Sequence, residues 1–212
     1  GNLAMKGTGS GNDAYGVFAA QKGGYGSTKT YQATGINIYD KDGAAFTLNG
    51  NLDMKVKGVG VDMRGSEKNA VTIAGGTIFT PDDGEEASYK AVAATSGTFA
   101  MGMNDAKTGS NGKDVVVQGT ISLGKKGTVD LGLGSSKSRW TGIADNKDGH
   151  PMNLYLSDGG MWENRRTSKD QYGLFAGSRV TKVAGGTAPA KAGVIVQKDS
   201  NPITIEIGRA HV

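Results

Sequence analysis

The sequence predicts an all-β chain wound as a parallel β-helix, a solenoid with short loop insertions, and three observations carry that reading. Of the 212 residues 36 are Gly, while Leu, Ile, Val and Phe together number 39 and Cys is absent. Glycine at more than twice its ordinary share of about 7% supplies sharp turns, and so few large aliphatics fill a narrow core of small and β-branched residues rather than a wide one. Short period-2 alternations recur along the chain, and no stretch sustains apolar residues at i, i+3, i+4 and i+7. The sequence also echoes itself at about the length of one solenoid turn.

In chain order the alternation marks strands at Tyr15 to Ala19, Ile36 to Tyr39, Ala45 to Leu48, Leu52 to Val56, Val59 to Met63 and Val71 to Phe79. Further strands fall at Thr98 to Met103, Val115 to Leu123, Thr128 to Leu133, Asn153 to Leu156, Leu174 to Ala176, Gly193 to Gln197 and Ile203 to Ile207. Gly, Asn, Asp and Ser punctuate them, as sharp direction changes require. The non-periodic pieces Thr80 to Lys90, Asn104 to Asp114, Ala144 to Pro151 and Glu163 to Gln171 read as insertions at the corners.

The echoes separate a solenoid from a sandwich. Leu131-Gly132-Leu133 followed by Trp140 returns as Leu154-Tyr155-Leu156 followed by Trp162, a nearly equal step for the leucines and the tryptophans. Tyr15-Gly16-Val17-Phe18-Ala19 returns as Tyr172-Gly173-Leu174-Phe175-Ala176, and Ala74-Gly75-Gly76-Thr77 as Ala184-Gly185-Gly186-Thr187. One unit reused, rather than separate domains, places residues 1–212 in a single segment. At roughly 20 to 23 residues per turn the chain makes about nine or ten turns, a rod on the order of 45 Å long at about 4.8 Å per turn. Alternation that runs on through Ile203, Ile205 and Ile207 reads as a piece of a longer chain.

Charge and composition narrow the function classes. Lys and Arg number 24 against 20 Asp and Glu, for a net charge of +4, and the two signs interleave along the whole chain. That pattern is a solvated mixed surface rather than a nucleic-acid footprint. No apolar run approaches membrane-span length, and without Cys there is neither a disulfide nor a thiolate chemistry.

The phrases GTVDLGLGSSKSRWTG, from Gly127, and MNLYLSDGGMWEN, from Met152, resemble the passenger domains of Gram-negative autotransporters, in which a strand, a small polar turn, a Trp and a Thr-Gly or Asn-Gly recur once per turn. YGVFAAQKGG from Tyr15 and KNAVTIAGGTIF from Lys68 have the same style. The resemblance implies a right-handed parallel β-helix, secreted across the outer membrane and displayed on the bacterial surface through a barrel that is not part of these residues. It agrees with the absence of Cys and carries over no site residue.

Several residues could carry chemistry, and each also fits a simpler structural role. His150, before Pro151, and His211 lack any metal or triad spacing and read as turn residues. Gly134-Ser135-Ser136-Lys137 is the nearest string to the Gly-Asp-Ser-Gly phrase of serine-protease passengers, but it lacks the acid and the closing Gly and reads as a turn before Trp140. Asp82, Asp83, Glu85 and Glu86 crowd four carboxylates into five positions, enough for a cation to bridge if they fold together, although an acidic surface loop is simpler. Arg165 and Arg166 suit an anionic glycan or plain solvent. Gly9-Ser10-Gly11-Asn12-Asp13 resembles one calcium nonapeptide, whose ligands come from tandem copies that are missing here. Trp140, Trp162 and Tyr155 make either a platform for sugar rings or a stack of structural aromatics, and their repetition from turn to turn favours the stack.

The resulting expectation is a non-catalytic rod on the cell surface, an adhesin or stalk for cell attachment, aggregation or biofilm formation, with no cofactor, no catalytic residue and no metal. Its partners are a host or bacterial cell-surface glycan or protein, or another copy of itself. The competing expectations are a carbohydrate-active β-helix, lyase or hydrolase, using the acidic loop with Arg165 or Arg166, and a fibrous phage spike, which would trimerise.

Overall fold

Alternating side chains on short strands bury one face only if a second strand lies beside them, and this chain satisfies its strands almost wholly with parallel neighbours. A computed structural model describes residues 31–81, 89–167, 177–186, 191–198, 200 and 202–206, with side chains from Thr34 onward, together with the backbone of 3–7, 10–11 and 15–20. In chain order the strands are β1 (Leu3–Gly7), β2 (Ser10–Gly11), β3 (Tyr15–Ala20), β4 (Tyr31–Asp40), β5 (Ala45–Val56), β6 (Gly58–Gly65), β7 (Ala70–Phe79), β8 (Lys90–Met101) and β9 (Val115–Gln118). They continue with β10 (Thr120–Leu133), β11 (Arg139–Gly142), β12 (Ala144–Asp145), β13 (Met152–Leu156), β14 (Met161–Asn164), β15 (Ser178–Val180), β16 (Lys182–Gly185), β17 (Val194–Gln197) and β18 (Ile203–Ile205). Among the described residues there is almost no helix.

The main sheet is curled like half a barrel. Its spine runs β16-β13-β10-β8-β7-β9-β11-β14-β17, nine strands with parallel neighbours throughout. The curl comes from long strands that change partner part-way. Within β8, Val92 to Ala94 pair with β6 while Thr98 to Met101 pair with β7, and β10 follows it round the same corner with a register shift between Leu123 and Lys126.

Registered side chains form ladders facing one core. The first runs Ile36, Val61, Val92, Ile121, Ala144. The second runs Leu48, Ile73, Met101, Leu131, Leu154, Val183. The third runs Met54, Ile78, Val117, Trp140, Trp162, Ile195. All three meet in a single hydrophobic cluster. The leucine and tryptophan echo is in register, with Leu131 and Leu133 paired with Leu154 and Leu156, and Trp140 with Trp162. Ala74-Gly75-Gly76 and Ala184-Gly185-Gly186 each follow a member of the second ladder, Ile73 and Val183. The echo at Tyr172 to Ala176 and the strand expected at Leu174 to Ala176 lie outside the described residues.

The corners are tied by buried amides. Asn69, fully buried, accepts the Ala44 N–H at 2.7 Å and donates to the carbonyls of Asp40 at 3.0 Å and Arg64 at 2.7 Å. One side chain thereby satisfies backbone groups that the chain's change of direction leaves unpaired.

Several boundaries differ from the sequence reading. Ala45 to Leu48 and Leu52 to Val56 are one strand, β5, and the run Val115 to Leu123 breaks at Gly119 into β9 and β10. Ala144 and Asp145, read as the start of an insertion, form β12, and Glu163 and Asn164 belong to β14. The ladder step from Trp140 to Trp162 matches the echo, but the step from Ile78 to Val117 is nearly twice as long. Among the described residues the spacing of ladder partners is therefore not constant. The core is also broader in composition, with Met54, Met63, Met101, Met152 and both Trp fully buried. Among the described residues no helix is long and apolar enough to cross a membrane.

Candidate functional site

Because ladder residues point into the core, the residues on either side of them face the opposite side of the sheet and repeat at the same register, some exposed and some, such as Asn37, Ala100 and Asp130, buried. Behind the first ladder this gives a polar row Asn37, Asp62, Ala93, Ser122, Asp145. Ala93 is the short member, and Lys90 reaches into the row, donating from Nζ to Ser122 Oγ at 3.2 Å, while Ser122 Oγ donates to Asp145 Oδ2 at 3.2 Å. Arg64 Nη2 donates to Asp62 Oδ2 at 2.6 Å. Burial pushes the Asp62 carboxyl above its ordinary value of 3.8, against the pull of Arg64 and, more weakly, of Lys90.

That shift has a defined sign. The folded state holds the Asp62 proton more tightly than the unfolded chain does, so this group's stabilising contribution is complete below pH 3.8 and is lost as pH rises through the raised value. Asp62→Asn removes the dependence. Urea midpoints from about pH 3 to about pH 7 are expected to show the variant gaining on the parent protein as pH rises. A difference that stays flat with pH would contradict the burial argument.

A second row lies behind the second ladder: Thr72, Ala100, Asp130, Asn153, Lys182. Asn153 Nδ2 donates to Asp130 Oδ1 at 2.7 Å. The Asn104 to Asp114 insertion is anchored over this face, since Tyr155 Oη donates to the Lys107 carbonyl at 3.1 Å and Asn111 Nδ2 donates to the Ala74 carbonyl at 2.8 Å. Lys182 Nζ donates to Tyr155 Oη at 3.4 Å and stands 5.0 Å from the ring centroid, where the ring's electron-rich face attracts it.

The candidates singled out in the sequence fall in separate places. Trp140 and Trp162 are fully buried, stacked at 4.8 Å with their planes 5° apart, and each Nε1 donates at 3.1 Å to a backbone carbonyl, of Gly119 and Gly142. They are structural, and no sugar reaches them. Ser135 Oγ donates to Asp114 Oδ1 at 2.7 Å and contacts Ser138 Oγ at 3.0 Å, so it braces a turn, and among the described residues no imidazole is bonded to it. His150 Nε2 is 3.7 Å from Asp148 Oδ2, and its backbone N–H donates to Asn146 Oδ1 at 2.8 Å. Arg165 Nε pairs with Glu163 Oε1 at 2.9 Å. Asp82, Asp83, Glu85, Glu86 and His211 lie outside the described residues, as does most of Gly9 to Asp13, of which Ser10 and Gly11 pair antiparallel with β4. Among the described residues no three His, Asp or Glu side chains gather as metal ligands do.

The outward rows escape the sequence reading, although a signal for them exists. Asn37, Asp62, Ser122 and Asp145 each follow a first-ladder residue by one position, which shows only when those strands are aligned on one another. No protein-family model, no curated protein and no solved structure matches this chain.

Proposed function

We propose that the chain is a stretch of right-handed parallel β-helix from the surface-displayed passenger of a Gram-negative autotransporter, a non-catalytic rod that attaches cells to one another or to a host. The observation that supports it best is the in-register return of Leu131, Leu133 and Trp140 at Leu154, Leu156 and Trp162. A repeat that seals its neighbour along the core leaves the outer rows free to carry polar groups in sequence. Ser122 and Asp145 on one side, with Asn153 and Lys182 on another, belong to such rows. Binding spread along them requires no catalytic constellation. Its partner is a cell-surface glycan or protein, or a second copy of the chain.

The test is a glycan and whole-cell binding screen with the purified chain. Binding to cells or to a defined glycan class is expected. Silence in both removes the adhesive role and leaves a passive stalk, while depolymerisation of a bound polysaccharide would replace the reading with an enzyme. Small-angle scattering checks the architecture, since a globular profile instead of a rod would remove the solenoid.

A further inference from the structure

On the outer side of β11 lies a shallow basin of about 230 Å³ lined by Val116, Ser136, Lys137, Ser138, Arg139 and Met161. Arg139 is registered between Val116 on β9 and Met161 on β14. Its side chain donates from Nη2 to the Met161 thioether at 3.5 Å, and no carboxylate among the described residues pairs with it. Lys137 has 80% of its side chain exposed and stands 3.9 Å from Asp114, a solvated pair worth little. Two cations thus face the same opening without a strong internal partner among the described residues.

The basin is also held in shape. Ser135 Oγ is bound to Asp114 and Ser138 Oγ, the Ser138 N–H donates to the Ser135 carbonyl at 2.9 Å, and the Val115 N–H donates to Ser138 Oγ at 3.1 Å. The string Gly134 to Lys137 therefore acts as a stiff mount for Lys137 and Arg139. A ligand arriving there meets a backbone already ordered and has only the Lys137 and Arg139 side chains to fix.

We propose that this basin binds an acidic saccharide, with Arg139 and Lys137 receiving its carboxylate or sulfate and Met161 and Val116 lying against the ring. The proposal rests on the adhesive reading above and names its ligand class. An arginine fork matches two oxygens of a carboxylate or a sulfate in two parallel hydrogen bonds, the apolar floor suits the C–H face of a pyranose, and the exposed Ser136 hydroxyl stands beside it for a ring hydroxyl. A saccharide fits better than an extended acidic peptide, because β11 is paired on both sides by β9 and β14 and offers no open edge for main-chain hydrogen bonding.

Calorimetry on the whole chain tests this with four probes. They are a tetrasaccharide of alternating glucuronate and N-acetylglucosamine, its carboxyl-reduced form, a sulfated tetrasaccharide, and a hexaglutamate peptide. Binding of either acidic sugar is expected, with the stronger one identifying the oxyanion. The reduced sugar should bind at least about tenfold more weakly, and the affinity for the acidic sugar should fall as salt rises. Arg139→Gln should weaken acidic-sugar binding by about tenfold or more and Arg139→Lys by less, with unchanged circular dichroism because the side chain is exposed. Binding of the reduced sugar as tight as that of the better acidic sugar, an unaffected Arg139→Gln, or tighter binding of the peptide would overturn the proposal. Cell attachment that survives without any acidic-sugar binding removes this basin alone, whereas a chain silent toward every glycan and cell removes the adhesive reading itself.

Discussion

Trp140→Ala is expected to lower stability by about 3 to 5 kcal/mol, the range for truncating a buried large aromatic. Trp140 has no exposed surface and sits in the third ladder between Val117 and Trp162. Its loss leaves Trp162 facing a void across what is now a 4.8 Å stack, and such pairs contribute about 0.5 to 1.5 kcal/mol beyond area alone. It also strands the Gly119 carbonyl, which accepts from Nε1 at 3.1 Å, at the very point where β9 gives way to β10. Urea denaturation followed by near-ultraviolet circular dichroism measures both parts, because the coupled indole signal and the midpoint should fall together. Trp140→Phe, which keeps most of the volume and loses the donor, should cost less than the alanine variant. A loss below about 1 kcal/mol for Trp140→Ala would mean that the stack is not part of the packed interior.

The legible parts of the fold are those where one ladder partner follows the other after only short turns. Leu131 with Leu154, and Trp140 with Trp162, are separated by nearly equal lengths of chain because only short turns intervene. Ile78 and Val117 are partners on the same ladder at nearly twice that separation, since both the Thr80 to Lys90 and the Asn104 to Asp114 pieces fall between them, and no fixed period finds that pair. Lys90 to Gly97 escapes the alternation for another reason. Ala91, Val92 and Ala94 are buried at a corner between β6 and β10, where small residues pack without the pattern that marks a half-exposed strand. Strands β11 and β14, four residues each, are too short for alternation to register and are held by their neighbours. Counting aliphatics underestimates the core because Met54, Met63, Met101 and Met152 fill it with unbranched side chains. The polar rows are invisible in sequence for the converse reason, since single Asp, Asn and Ser residues mean nothing until the ladder beside them is aligned. Arg139 and Lys137 stand only two positions apart in the sequence, and it is the turn at Ser135 to Ser138 that gives both a common basin.

Gly76→Ala is the second large effect, and with Gly112→Ala as its control it isolates close packing between strands from backbone conformation. Gly76 has φ +108° and lies in β7, where the strand passes from pairing with β8 at Ala70 to Ile73 to pairing with β9 from Gly76 to Phe79. It also faces Leu52 of β5 in register, and a Cβ built on it collides with the Leu52 carbonyl oxygen. Relief requires β7 to move off β5 or β9, opening the third ladder beside Met54 and Ile78. Strain at the dihedral costs about 1 to 3 kcal/mol and overpacking about 1 to 3 kcal/mol more, so the variant should lose about 2 to 6 kcal/mol. Gly112 has a comparable φ of +77°, but its added Cβ meets nothing within 4 Å. Gly112→Ala therefore carries only the dihedral cost, of about 1 to 3 kcal/mol. Chemical denaturation of the two variants side by side decides the matter. A wide gap is expected, and equal losses would show that contact between successive strands at Gly76 is too loose to seal the core.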